Sequence, residues 1–591
     1  MPYILNTLYS LLESRQKRQF VALQLLITLT ALLELASITS IGPFMALVAS
    51  PDTFKNNQLA QDAINMIGGE QPEVRLGLVV LILISLSTLT SLYTSWKLSR
   101  FGARLGADLS SRLYNYYINQ DWIFHSSSNS SALTNRIAQE TYRVTQGIIQ
   151  PSLIILSKSI LVILLIAGVF ILEPMIAMIG SFFFAFCYLL IFQLTKLSLS
   201  TSGKKVSEHS EKRLRVISEG FGAIKDTLIL QQQDAFSKEF EVHSMKWADH
   251  VSNIRVLGQA PRYIMEGITF GSVIGFIALL STTDDTSLTD FLPKLTVFAF
   301  AGLKILPAMQ AIFSNISSIK SNAPAFENIE VDLKKHRIFS INQAESMPVL
   351  THGDIQIRHL SYEYPNTKKT ILDNLNLDIP QNKTIGIAGP SGSGKSTLID
   401  IICGLIPIKT GDIQIGTLSW NHQKKINWGS KVGYVPQSIF LLDSTIAENI
   451  AFGIDPTKIC PVKLDDAIQK AHLNELISSL QYGIETVVGE RGMQLSGGQR
   501  QRIGIARALY HDPEVLIFDE ATSALDGISE QKIMEAITGL HGSKTIIMIA
   551  HRLSTLKNCD TIFFLEHGEI SHQGSFDDLL KASDIFRKMS G

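Results

Sequence analysis

The sequence predicts a chain of two fold classes: a membrane all-α half with six transmembrane helices, followed by an α/β half built on a largely parallel sheet. Three observations predict it. Long apolar runs crowd residues 1–325, whereas 351–591 has the composition of an ordinary soluble domain. A glycine-rich loop, "GPSGSGK" at 389–395, stands between a β-run and an apolar helix. A short apolar strand, Val515 to Phe518, ends in two adjacent acids, Asp519 and Glu520.

The all-α half divides in order as follows. Residues 1–19 predict an amphipathic elbow helix, because Ile4, Leu5, Leu8, Leu11 and Leu12 share one face and could lie on the inner membrane surface. A bilayer crossing needs about 20 mostly apolar residues. Such runs occur near 20–48, 76–97, 147–172, 174–198, 258–281 and 289–316, within a domain spanning 20–325. Residues 57–67 predict a short helix at the outer membrane surface, and 326–350 a linker. Basic residues sit at the N-terminus (Arg15, Lys17, Arg18) and on 99–146 and 199–256, while the outer loops carry Asp52, Asp62, Asp284 and Asp285. Lysine and arginine mark the cytoplasmic side, so both termini are expected inside. The two inner segments are polar, helical in pattern and about 50 residues long, long enough to carry the spans well out of the membrane.

Composition narrows the function classes. A formal net charge of -1 over 591 residues gives no bulk electrostatic case for a nucleic-acid partner. The 4 cysteines are scattered, which argues against a disulfide framework or a metal cluster. The first apolar run is too long for a signal peptide and ends without a cleavage site.

In the α/β half, strand, glycine loop and helix in succession turn "IGIAGPSGSGKST" into a phosphate-binding loop. Gly389, Pro390, Ser391, Gly392, Ser393 and Gly394 let backbone N–H groups close around phosphates, with Thr397 just inside the helix. Lys395 meets the terminal phosphate oxygens and the Ser396 hydroxyl ligates Mg²⁺. Asp519 can hold Mg²⁺ through water, and Glu520 is placed as general base for the attacking water. Gln437 and His551 also follow β-runs, at the strand ends where such sheets place ligands. In "QLSGGQRQR", Ser496, Gly497, Gly498 and Gln499 stand at a helix start, a second anion site without a lysine of its own.

Together the loop at 389–396, "QLSGGQRQR", "FDEATSALD" and His551 resemble an ATP-binding cassette over the whole of 351–591. The resemblance implies ATP and Mg²⁺ as cofactors. It implies that Tyr364 stacks on adenine, Gln437 senses Mg²⁺ and couples to the membrane domain, and His551 contacts the γ-phosphate. It also implies that Ser523, Ala524, Leu525 and Asp526 form a loop crossing between two cassettes, and that "TVVGERG" (486–492) meets the inner helices. Glu520, His551, Lys395 and Gln437 are then the catalytic set. The lysine missing at 496–499 is supplied by a second copy, whose ATP those donors close over, so a homodimer is implied.

Six spans, one cassette and two long inner segments resemble an ABC exporter half-transporter, with "WIFHSSSNSSALTNR" (122–136) and "EGFGAIKDTLI" (219–229) similar to its coupling segments. The stretches 32–52, 260–268, 302–310 and 559–568 resemble the bacterial lipid-linked oligosaccharide flippases of the PglK type, implying an inner-membrane flippase for a polyprenyl-pyrophosphate-linked glycan. The other class is an exporter of another amphiphile: lipid, drug or peptide. Ionisable residues inside spans are costly and usually functional. Glu34, Arg262 and Lys304 are expected in the substrate cavity, with Lys158 and Glu266 also within spans. Arg262 could instead pair with Glu266 one turn on, and Lys304 stands where the resemblance implies an arginine.

Overall fold

The computed structural model describes residues 2–49, 72–172, 174–280, 288–342, 353–365, 369–420, 428–489, 492–521, 527–550 and 552–590. Two compact units emerge: Met1–Gln120 with Ser127–Gln343, and Asp121–Ser126 with Ala344–Gly591.

The first unit is helical. Helix α1 spans Pro2–Leu11, and its buried residues Ile4, Leu8 and Leu11 follow helical spacing. It ends before the expected elbow does, because Glu13 and Gln16 form a capping box that starts α2, Ser14–Thr39. The first candidate span is also not one helix. It breaks at Ser40, and α3 follows at Ile41–Ala49. Ser37, Thr39 and Ser40 hydroxyls donate back to carbonyls of the preceding turn, and Pro43 has no N–H to extend the ladder. Helix α4 is Pro72–Ile118. Beyond it lie α5 (Trp122–Ser127), α6 (Ser130–Asn135), α7 (Thr141–Val144) and α8 (Gln150–Leu172), with π-turns at Arg136–Glu140 and Thr145–Ile149. Then come α9 (Pro174–Gly222), α10 (Ile224–Ile229), α11 (Gln233–Leu280) and α12 (Leu288–Asn342). At 1.5 Å per residue the 49 residues of α9 reach about 74 Å, more than twice a hydrocarbon core of about 30 Å.

Among the described residues three helices, Ser14–Thr39, Val74–Ile118 and Ser130–Ile171, are long and apolar enough to cross a membrane. The remaining candidate spans fall on α9, α11 and α12. Where the helices cross, polar groups are paired. Thr30 and Thr94 share a 2.7 Å hydroxyl bond between α2 and α4. Arg143, half-buried, pairs with the buried Glu140, and its Nε donates to Asn322 at 3.1 Å. Gly203 is there because α9 touches α12: a Cβ would lie 1.9 Å from the Ser321 carbonyl oxygen. Residues 326–342, expected as linker, are the last turns of α12. Phe326, Ile329 and Leu333 are buried there, and Tyr117 and Arg136 hold Asp332 at 2.6 and 3.0 Å. The helix expected at 57–67 lies outside the described residues.

In the second unit, β1 (Ile355–Glu363), β2 (Thr370–Ile379), β4 (Thr410–Ile415) and β5 (Leu418–Trp420) form an antiparallel sheet in the order β2-β1-β4-β5. The other sheet runs β10-β9-β3-β8-β7-β6, from β3 (Thr384–Ala388), β6 (Val432–Val435), β7 (Val515–Asp519), β8 (Thr545–Ile549), β9 (Thr561–Glu566) and β10 (Glu569–Gly574). Its centre is parallel and buried on both faces. Val515, Ile517, Ile547 and Ile549 pack toward α13 (Lys395–Ile402) and the antiparallel sheet. The alternate residues Leu516, Phe518, Ile546 and Met548 pack with Ile503, Ala506 and other residues of the helix Gly497–Tyr510. A strand buried on both sides must be apolar throughout, which is why "VLIF" and "TIIMI" show no polar alternation.

Candidate nucleotide site

The site grows from the register of the parallel strands. Ile387 pairs with Ile549, Ile549 with Asp519, and Val435 with Phe518. Residues one or two beyond these pairs therefore meet at one edge, the carboxyl ends of the strands. Gln437 and Glu520 each lie two residues past the Val435–Phe518 pair, and the Gln437 Nε2 donates to Glu520 Oε2 at 2.7 Å. Glu520 itself turns into the left-handed region, φ 52°, and its N–H donates to the Ile549 carbonyl at 3.0 Å. For a non-glycine residue that backbone is strained and held by its surroundings.

The loop after β3 needs glycine at both ends. Gly389 has φ 153° and a Cβ there would sit 2.1 Å from the Leu565 carbonyl oxygen. Gly394 has φ 106° and caps α13, and a Cβ there would crowd Leu372 at 2.8 Å and the Ile371 carbonyl oxygen at 3.0 Å. Lys395 is buried, and its ammonium donates to the carbonyls of Gly389 and Pro390 at 2.8 Å each, curled over its own loop. Burial lowers its pKa, and the carboxylates of Glu520 and Asp519 pull it back up. Pro390, Ser391, Gly392 and Ser396 stay at least partly open, and the Ser393 hydroxyl is buried without a hydrogen-bond partner. A buried hydroxyl in that position suits a phosphate oxygen. Tyr364 stands beside this loop: its hydroxyl lies 3.3 Å from Thr397 Oγ1 and its ring is edge-on to Tyr362.

Two neighbours of Asp519 were not legible in the sequence. Tyr434, on β6, donates its hydroxyl to Asp519 Oδ2 at 3.0 Å, and burial with that carboxylate raises its pKa. Asp400, on α13, is pushed up to about 6, by burial first and with the Asp519 charge adding to it; a hydrogen bond from Trp122 pulls the other way. Trp122 belongs to the first expected coupling segment, and Asp121–Ser126 group with the second compact unit. A lone charge in the apolar run "TLIDIICGL" was the available signal for Asp400.

Ser496 caps the helix Gly497–Tyr510 through a capping box. Its hydroxyl accepts from the Gln499 N–H at 3.3 Å and its own N–H donates to Gln499 Oε1 at 2.7 Å. Ser496 and Gly497 are exposed, Gly498 is buried, and among the described residues no hydrogen bond joins them to the loop at 389–396. Ser523, Ala524, Leu525, Asp526 and His551 lie outside the described residues, as do Glu490 and Arg491 of "TVVGERG".

The comparisons with known proteins bear on both halves. The ABC transporter family matches residues 372–523, and the ABC transporter transmembrane region matches residues 22–255. The chain belongs to the ABC exporters, as a half-transporter. It is 27% identical over 579 residues to the "ATP-dependent lipid A-core flippase" of Shewanella sp. (strain MR-4), covering 94% of this chain and 92% of that one. It is 26% identical to the protein of the same name from Vibrio vulnificus (strain YJ016), covering 87% of each. Over 78% of its length it is 29% identical to the "Heterocyst differentiation ATP-binding protein HepA" of Nostoc sp. (strain PCC 7120 / SAG 25.82 / UTEX 2576), covering 74% of that chain. Among solved structures it shares its fold with a bacterial Atm1-family ABC exporter with ATP bound, at TM-score 0.75 and 21% identity over 97% of both chains. This half-transporter thus binds ATP and hydrolyses it in support of transport.

The substrate residues fare less evenly. Arg262 does pair with Glu266, Nε to Oε1 at 2.9 Å, though its side chain stays exposed. Glu34, expected in a cavity, is instead buried where α2 meets α4 and accepts from the Ser91 hydroxyl at 2.6 Å. A carboxylate buried at an apolar helix contact needs such a donor. Lys304 is exposed on α12 and has no acidic partner among the described residues.

Proposed function

We propose that this exporter works as a homodimer in the bacterial inner membrane, both termini cytoplasmic, flipping a polyprenyl-pyrophosphate-linked oligosaccharide. Lys304 is the observation that carries the substrate class: an exposed cation within a candidate span, with no acidic partner among the described residues, suits a phosphate group of the cargo. Arg262 is partly neutralised by Glu266 and contributes less. The relatives named for lipid A-core favour the second reading, another amphiphile, here a lipid such as lipid A-core.

The ATP site supports a composite mechanism. The loop at 389–397 cradles the phosphates, and Lys395 swings from its own carbonyls onto their oxygens. Ser396, Gln437 and Asp519 offer a hydroxyl, a carboxamide and a carboxylate, an all-oxygen set that fits Mg²⁺. When bound, the metal supplies positive charge to the β- and γ-phosphates. Glu520, oriented by Gln437, takes the proton of the attacking water. Tyr364 flanks the base, Asp526 and His551 act across the dimer and on the γ-phosphate, and the exposed Ser496–Gln499 start closes the partner's site. At the end of the second coupling segment Ile229 is 67% exposed, and Leu230 just after it is 66% exposed, an apolar surface suited to a second copy's cassette.

ATPase activity of the reconstituted protein separates the substrates. Lipid-linked oligosaccharide is expected to raise turnover severalfold, with plain phospholipid and drug-like amphiphiles without effect. Stimulation by lipid A-core alone would move the assignment to the second reading.

A further inference from the structure

Near the elbow helix, two adjoining spaces differ in character. One is an apolar cavity of about 340 Å³, walled by Tyr9, Phe20, Phe101, Leu105, Leu153 and Leu156. The other is a polar groove of about 810 Å³ that holds Glu13, Arg15, Lys17, Asp108 and Arg112. Leu12 lines both. The Lys17 ammonium lies 5.2 Å from the centre of the Tyr9 ring, so the cation of the groove stands at the mouth of the apolar cavity. The walls come from α1 and Leu12 after it, from the start of the first candidate span (Phe20), from α4 just past the second (Phe101, Leu105) and from the start of the third (Leu153, Leu156).

The charges in the groove are not equivalent. Arg112 holds both acids, Glu13 at 2.8 Å and Asp108 at 2.7 Å, and Gln16 also donates to Asp108 at 3.0 Å. The acids are therefore spent on the protein itself and offer little to an ammonium headgroup. Arg15 and Lys17 form no ion pair among the described residues. An apolar slot beside two uncompensated cations, at the level where spans leave the membrane, has the shape of one ligand: a lipid with a single negative headgroup.

The geometry points to a binding site for an anionic phospholipid, one acyl chain between Tyr9, Phe20 and Phe101, and its phosphodiester against Lys17 and Arg15. The site is separate from the transport cargo, and lipid retention reads it whether or not the cargo assignment holds.

The test is native mass spectrometry of the delipidated full-length protein, with phosphatidylglycerol and phosphatidylcholine of identical chains added back. The wild type is expected to retain phosphatidylglycerol at least tenfold better. Arg15→Gln with Lys17→Gln should remove that preference, on the order of fivefold for each basic residue lost. Leu156→Trp, which fills the slot, should weaken both lipids alike. The headgroup alone, as glycerol phosphate, should not bind, a control that needs no variant. ATPase activity of each variant checks the fold. Equal retention of the two lipids by the wild type, a preference that survives in the Gln/Gln variant, or binding of glycerol phosphate as tight as of the whole lipid would overturn the assignment.

Discussion

Glu520 has two features that a loop acid would lack: a left-handed backbone and a 2.7 Å donor in Gln437. Glu520→Gln keeps the shape but removes the proposed base. ATP binding should persist, and turnover should fall on the order of 10²- to 10⁴-fold, measured as phosphate release beside nucleotide affinity. Near-normal hydrolysis would remove Glu520 from the mechanism. Asp400 makes a different kind of prediction. Its pKa rises from an ordinary 3.8 to about 6, so folding favours the protonated form. Its contribution to stability is full below about pH 4 and is lost as pH rises through about 6. Asp400→Asn should therefore gain thermal stability relative to wild type as pH goes from 4 to 7, and a difference flat across that window would contradict the burial argument. Residues contiguous with a motif were legible in the sequence; Tyr434 and Asp400 were not, because strand order and helix phase bring them to Asp519.

Among the elements, the helix Gly497–Tyr510 raises the sharpest question. Ser496 is both its cap and a donor for the second copy's nucleotide in the proposed cycle. Ser496→Ala with Gly497→Asp should cost about 1 kcal/mol of stability through the lost cap. Turnover should fall far more, at least a hundredfold, while nucleotide affinity stays near wild type. Equal losses of affinity and turnover would place the site in its own chain. Element boundaries were the least legible part of the sequence. The elbow ends at Leu11 because a capping box at Glu13 restarts the helix, and the first span breaks at Ser40, where serine and threonine hydroxyls bond the carbonyls of the preceding turn and Pro43 lacks an N–H. The charged stretch around Glu330 and Lys334 read as linker, yet those charges pair with each other and with Tyr3 along one continuous helix. Periodicity shows that a helix exists; it does not show which charges find partners 200 or more residues away, as Tyr117 and Asp332 do.

At the scale of the whole molecule, the cassette was legible in the sequence, because its motifs are short and their context is local. The cargo was not, because a cavity is assembled from helices far apart in the chain. Glu34 shows this: its partner Ser91 lies 57 residues on, on another helix. In the proposed function, Lys304 is left as the cation that would select the cargo. Losing one charge-assisted contact to a phosphate costs about 1.5–3 kcal/mol, on the order of ten- to a hundredfold. The most direct measurement is ATP-dependent flipping of a polyprenyl-pyrophosphate-linked oligosaccharide by the homodimer in reconstituted vesicles, with yield and thermal stability followed in parallel. The account predicts that the wild type flips it, that Lys304→Ala flips at least tenfold more slowly with basal ATPase largely kept, and that Lys304→Arg is tolerated because its guanidinium restores a charged, bidentate donor. Full flipping by a well-folded Lys304→Ala variant, or none by an ATPase-active wild type, would contradict it.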